Sequence, residues 1–228
     1  MNNTILDLEK NYKEQLEKIF KNEEDYSEID VFSRGYGIHK SIILNSILFV
    51  GINPSFSGND PGSYFIHLNQ DGQNPGKGGE TYPYFKKFVE IAKLFNLQWS
   101  HQDVLFLRET KQANVGKIHK QKNGDKFIEE QLKISKEIII KSKPKVIVIS
   151  NTQARYYMKG EMGFKFEFDP NLGTRKIVSP PELKDTPVFF TSMLTGQRAL
   201  DLGSYERLIW HIGSVLKIDN FKGSERLN

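Results

Sequence analysis

The chain of 228 residues contains no cysteine, which removes thiol nucleophiles, cysteine-held zinc and iron-sulfur clusters and leaves chemistry to oxygen and nitrogen groups. His39, His67, His101, His119 and His211 lie scattered without metal-ligand spacing. There is no G-x-x-x-x-G-K-[ST] phosphate loop, G-x-G-x-x-G fingerprint, G-x-S-x-G elbow or H-E-x-x-H pair, so the usual support for phosphoryl transfer, hydride transfer, acyl transfer and zinc hydrolysis is missing. Two short stretches remain. Gly51-Ile52-Asn53-Pro54-Ser55-Phe56 presents an amide stiffened by the following proline, and Thr191 to Ala199 carries Ser192, Leu194, Thr195, Gln197 and Arg198. An amide can orient a water without taking its proton, and hydroxyl, amide and guanidinium groups can donate to a developing anion.

The elements around these stretches alternate between strand and helix. Residues 46–52 form a near-continuous apolar run, the pattern of a buried parallel strand feeding a loop. The loop that follows, 53–80, holds six glycines. Further strands are expected at 103–108, 145–150 and 188–193. Helices are expected at 6–20, after Thr81 and Pro83, at 125–142, at 152–158 and around 205–216, with a hairpin or lid between 164 and 178. This predicts a three-layer α/β/α domain on a central parallel sheet of about four strands, with residues 1–30 as an amphipathic helical extension and 31–228 as the domain proper. In such sheets ligands bind at the carboxyl ends of the strands. Asn53, Arg108, Asn151 and Ser192 stand at or just beyond the four expected ends.

The formal net charge is +4, yet residues 1–30 hold four Lys against nine Asp and Glu. The body is therefore basic, with Lys111, Lys117, Lys120, Lys122 and Lys126 facing only Asp125 in one segment. Such a body suits a polyanion such as DNA, and a solvated lysine-rich surface fits the same charges. The amino terminus has no basic and apolar leader pattern, and the longest apolar stretch is broken by Asn45 and Ser46, so a cytoplasmic protein without a membrane partner is expected.

On Gly51 to Pro54 the sequence resembles the uracil-DNA glycosylase superfamily, whose first motif reads GQDPYH, GINPG or GMNPG in different branches. Its second motif, HPSPLS or NPSGLS, lies on the last strand, where Thr191 to Ala199 falls here without a histidine. Gly62-Ser63-Tyr64-Phe65 is similar to the family's G-x-x-F, and the resemblance spans about residues 46–217. It implies a uracil-DNA glycosylase-like fold and a monomeric DNA glycosylase that hydrolyses the N-glycosidic bond of uracil or another damaged or deaminated base, with no metal or cofactor.

Under that resemblance Asn53 orients the attacking water, and Ser192 and Arg198 stabilise the leaving base. Gly51, Ile52, Pro54, Phe65, Arg108 and Asn151 line the base site, with Phe65 as the stacking platform for the flipped base. Arg108 stands where the family carries an Asn that reads uracil, and a guanidinium that only donates cannot make the same reading. Leu194 and Gln197 enter the minor groove, and Lys117, Lys120 and Lys122 contact phosphate. The plain structural alternatives are a turn at Asn53-Pro54, a core position for Phe65, and an ion pair from Arg198 to Asp201 or Glu206. Two other functions fit the same pattern: a non-catalytic nucleic-acid-binding member of the fold, or an enzyme of small nucleotides or nucleosides.

Overall fold

The structure, a computed structural model, describes residues 4–56, 58, 62–75, 79–196 and 199–218. The chain opens with a short strand, β1 (Ile5–Asp7), and helix α1 (Leu8–Phe20), which begins where the Asp7 carboxylate accepts from Lys10 N at 2.9 Å. Leu8, Tyr12, Leu16, Ile19 and Phe20 recur at helical spacing and are buried, so α1 packs its apolar stripe onto the body. A single turn, α2 (Glu23–Tyr26), leads to the short strands β2 (Gly37–His39) and β3 (Ser41–Ile43). The central strand β4 (Ile47–Gly51) is buried at every position, as its apolar run requires. β5 (Tyr64–Ile66), α3 (Lys86–Leu94) and β6 (Trp99–Asp103) follow.

The second half continues with α4 (Gln112–Ile118), α5 (Gly124–Ser142), β7 (Val146–Ile149) and α6 (Thr152–Lys159). A hairpin of β8 (Lys165–Asp169) and β9 (Thr174–Ser179) precedes β10 (Pro187–Phe190) and α7 (Leu202–Val215). The main sheet has the order β6-β4-β7-β10-β9-β8. β6, β4, β7 and β10 run parallel, and the hairpin is added antiparallel through β9. Four parallel strands thus stand as expected, and the segment expected to be a hairpin or lid widens the sheet to six. Two small sheets, β1 with β3 and β2 with β5, lie outside it.

Helices cover both faces. α1, α4, α5 and α6 bury Leu16, Val115, Ile138 and Ala154 in one core with Leu48, Val50 and Ile147, while α3 and α7 bury Phe88 and Ile209 in a second core with Phe49 and Val148. Alternate residues of β4 therefore face opposite layers, the period of two that a doubly covered sheet demands. Among the described residues no helix is long and apolar enough to cross a membrane.

Two expected boundaries are corrected. The second strand is Trp99–Asp103, five residues before the expected end at Arg108. Its sequence, Trp-Ser-His-Gln-Asp, looks polar, yet its first four residues are buried: Ser100 Oγ accepts from Ile43 N at 2.9 Å, while His101 Nε2 and Gln102 Oε1 have no hydrogen-bond partner among the described residues. Val104 to Leu107 are fully buried without being a strand of the main sheet. Their backbone is satisfied instead by Gly51 O, by Ile52 O and by the side chain of Gln131, whose Oε1 accepts from Phe106 N and Leu107 N at 2.9 Å each. The last parallel strand ends at Phe190 rather than Met193.

Candidate functional site at the carboxyl edge of the sheet

β4 is followed in space by β6 on one side and β7 on the other, so the chain reverses direction of winding between β4 and β7. That is the position where a doubly wound sheet opens a crevice at its carboxyl edge. Gly51, Asp103, Ile149 and Phe190 end the four parallel strands. Asn53 and Ser192 consequently lie at the same edge of the sheet.

Gly51 is required by crowding rather than by its backbone angles. A Cβ built on it would collide with Asp103 Oδ1 and come within 3.0 Å of His101 Nε2 and 3.3 Å of the Tyr84 hydroxyl. The missing methyl group is the space in which a carboxyl, an imidazole and a phenol converge. His101 Nε2 stands 3.6 Å from Asp103 Oδ1, and His101 Nδ1 is 3.1 Å from His39 Nε2. The rings of Tyr84, Phe85 and Phe88 enclose His101 at centroid distances of 5.6, 5.5 and 5.6 Å.

Dry surroundings set the protonation of this row. Burial pushes the Asp103 carboxyl up to about 8 and His39 down to about 4, and burial together with the neighbouring His39 holds His101 well below its ordinary value. Each shift disfavours the charged form, as desolvation without a balancing partner must. Near pH 7 the row is mostly a neutral acid beside two neutral imidazoles. The contact between the histidines has two tautomeric arrangements, so a proton can be handed along it in either direction.

Asn53 is held from behind. Its Nδ2 donates to Pro54 O at 2.8 Å, Glu109 O at 2.6 Å and Leu107 O at 3.4 Å, which fixes the amide and directs the acceptor Oδ1 away from those carbonyls. Pro54 O in turn accepts from Glu109 N at 3.0 Å. Asn53-Pro54 is thus a turn whose side chain is locked to the segment leaving β6. Ile52 is in the core, and its carbonyl accepts from Leu105 N at 2.8 Å.

Strand alternation settles which aromatic faces the edge. β5 pairs in parallel with β2, Gly37 opposite Tyr64 and Ile38 opposite Phe65. A Cβ on Gly37 would meet the Tyr64 ring at 3.1 Å and Pro54 at 3.2 Å, so the Tyr64 ring lies over Gly37 beside Pro54. Phe65 turns the other way, packing edge-on against Tyr36 at 5.8 Å and against the first core. The aromatic beside the Asn53-Pro54 turn is therefore Tyr64, one residue from the expected Phe65. Tyr64, Tyr82 and Tyr84 each keep over a third of their surface exposed.

Arg108 is a brace. Its Nη1 donates to Gly62 O at 2.6 Å and Arg34 O at 3.2 Å, and its guanidinium lies over the rings of Phe56 at 4.9 Å and Tyr64 at 4.7 Å. It fastens the glycine-rich loop to the site by stacking and by neutralising carbonyl dipoles. Asn151 caps α6, its Oδ1 accepting from Gln153 N at 2.8 Å and Ala154 N at 3.1 Å, so that oxygen serves the helix start.

In the last loop Ser192 is exposed, and Thr195 Oγ1 donates to Tyr84 O at 3.2 Å, tying the loop to the aromatic wall. Leu194 is only 5% exposed and belongs to the second core, which corrects its expected role as a wedge into DNA: its aliphatic side chain is spent on packing. Gln197 and Arg198 lie outside the described residues. Lys117, Lys120 and Lys122 are exposed at α4 and the turn after it, and none is in an ion pair among the described residues. No group of His, Asp and Glu suited to a metal ion occurs among the described residues.

Asp103, His101, His39, Tyr64 and Tyr84 are absent from the expected site. His101 and Asp103 share β6, and His39, 62 positions before His101, meets them where β2 packs beside β6. One signal was present: His101 and Asp103 stand two positions apart, the spacing of one face of a strand. Comparison of the chain with family models, with curated proteins and with solved structures returns no match.

Proposed function

We propose that this protein is a DNA glycosylase of uracil-DNA glycosylase-like fold, releasing a damaged or deaminated base at the carboxyl edge of its sheet. The observation that carries the reading is that the pinned Asn53 amide and the neutral Asp103 carboxyl both stand at the carboxyl edge of the sheet, Asp103 paired with Gly51 two residues before Asn53. The pair supplies the two things that hydrolysis of an N-glycosidic bond needs, a fixed acceptor for the attacking water and a proton for the departing base.

In this reading Asn53 Oδ1 accepts a hydrogen bond from water, which attacks C1′ as the C1′–N bond breaks. The electron pair leaves with the base, Asp103 donates its proton to the base anion, and the proton released from water restores the acid. His101 and His39 hold Asp103 in a dry wall, where a proton donor acts without reorganising solvent. The exposed part of the Tyr84 ring offers a contact to an extruded base. The exposed lysines of the α4 segment favour a polyanionic substrate over a free nucleoside.

The test is incubation of the pure protein with oligonucleotides carrying uracil, mismatched thymine, hypoxanthine or xanthine, followed by alkaline cleavage of abasic sites. One substrate is expected to be cleaved. Asp103→Asn, which keeps shape but cannot give up a proton, is expected to slow release by about 10² or more with DNA affinity unchanged. Release of no base from any substrate by a protein that binds the same DNA would leave a binding protein and overturn the assignment.

A further inference from the structure

The carboxyl edge continues beyond the proposed site to β10, whose last residue, Phe190, pairs with Ile149 of β7. Val188 lies in the first core and Phe189 in the second, so alternation returns Phe190 to the layer of α6, where it packs against the first core and meets Phe166 edge-on at 5.2 Å. Two guanidiniums converge on this ring. Arg155, one turn into α6, lies 5.3 Å from its centroid, and Arg175, on β9 beside β10, lies 5.7 Å from it.

Neither arginine makes an ion pair or a side-chain hydrogen bond among the described residues, although most other cations packed on rings here do one or both, as Arg34 does with Glu109 at 2.7 Å. Arg155 is half-buried and Arg175 exposed. Holding two like charges against one ring without an anion costs repulsion, and the ring quadrupole offsets only part of it. Both guanidiniums are pre-oriented by stacking, so little side-chain freedom is left to lose when an anion arrives.

Gly116 of α4 approaches Gln153 of α6, since a Cβ on Gly116 would stand 3.9 Å from Gln153 Nε2, so the helices that carry Lys117 and Arg155 touch at this point. The exposed ring of Tyr156 stands next to Arg155 in α6.

We propose that Arg155 and Arg175, set against Phe190, form a phosphate clamp for the backbone of a nucleic-acid strand that runs along this edge. The clamp rests on the proposed action on DNA for its choice of polymer. It fixes the register of the strand without reading sequence, as backbone contacts do.

Binding of an undamaged 20-base-pair fluorescent duplex across a salt series tests it separately from catalysis. Arg155→Gln and Arg175→Gln are each expected to make the slope of log affinity against log salt shallower by roughly one, and the double variant to bind about ten-fold more weakly near 0.1 M salt. The double Lys variant, which keeps both charges, is expected to retain most of the slope, separating charge from fold. An unchanged slope and affinity in the double Gln variant would overturn the clamp. So would millimolar inorganic phosphate binding to a wild-type protein that ignores the duplex, since the ligand would then be a free anion. If the clamp variants lose duplex binding while no oligonucleotide yields a free base, the clamp stands and the glycosylase reading fails. If base is released and the double Gln variant binds normally, the reverse holds.

Discussion

On the β4–β6 side of the carboxyl edge, aromatic rings enclose His101, and Asp103, His101 and His39 pair with no Lys or Arg among the described residues. On the β10–β9 side, Arg155 and Arg175 stand within reach of solvent and have no anion among the described residues. The two regions leave charge uncompensated in opposite ways. In the dry one, burial removes the charge itself and leaves protons that can be moved. In the wet one the charge persists, and solvent screening keeps its cost low until a polyanion replaces the counterions. One edge can thereby separate chemistry from docking.

The sharpest way to break the contrast is to fill the dry side. Gly51→Ala is expected to drive Asp103 and His101 apart and lower base release by about 10² or more, because displacement of a reacting group by about 1 Å has that scale of effect. It should cost about 1 to 3 kcal/mol of stability through overpacking and leave duplex affinity as it was. Parallel loss of affinity and activity would mean that the two sides are not separate.

The pH dependence of urea unfolding sharpens the same contrast. Asp103 titrates at about 8 in the folded chain against about 4 unfolded, so the folded state holds the extra proton between those values and stability falls as pH rises through them. His39 at about 4 folded against about 6.5 unfolded works in the other sense, since the unfolded state holds the extra proton and stability rises with pH up to about 6.5. His101, also lowered, adds to this rise. A maximum near pH 6.5 is expected, followed by a loss of about 2 kcal/mol by pH 8, at 1.36 kcal/mol for each unit. Asp103→Asn is expected to flatten the fall above pH 6.5 and keep the rise below it. A fall that persists in the variant would place the titrating group elsewhere.

The smallest effect belongs to the wet side away from the ring. Replacing Lys117, Lys120 and Lys122 with Gln should make the salt slope shallower by at most about one per lost phosphate contact, with stability unchanged. These lysines lack the stacking that pre-orients Arg155 and Arg175, so each should matter less than either arginine. Equal effects would remove Phe190 from the account.

The parallel strands β4, β7 and β10 were legible because buried strands with helices on both faces read as apolar runs. β6 was not, since its polar residues Ser100, His101 and Gln102 do not read as an apolar run although the fold buries them. At the site, Gly51 and Asn53 were legible from their type and from the proline that follows. Phe65 was misread by one residue, because a three-residue strand such as β5 gives no period from which to choose a face. Arg108 was expected at a strand end and Leu194 in a DNA groove, whereas their side chains brace the loop and pack in the core. The row was only partly legible: His101 and Asp103 stand two residues apart on β6, the spacing of one strand face, whereas His39 comes from β2 and no local spacing ties it to them.

Gln131 has a consequence for motion. Fully buried on α5, it anchors its Nε2 on Phe127 O at 2.9 Å while its Oε1 takes the amide protons of Phe106 and Leu107. One side chain thus stands in for part of a neighbouring strand, and of the carbonyls that hold Asn53, Leu107 O lies in this stretch and Glu109 O two residues beyond it. The stretch cannot fray as an ordinary loop would. The amide protons of Phe106 and Leu107 are therefore expected to exchange with solvent only when the long helix itself lifts, which ties one of the anchors of Asn53, Leu107 O, to the seating of that helix.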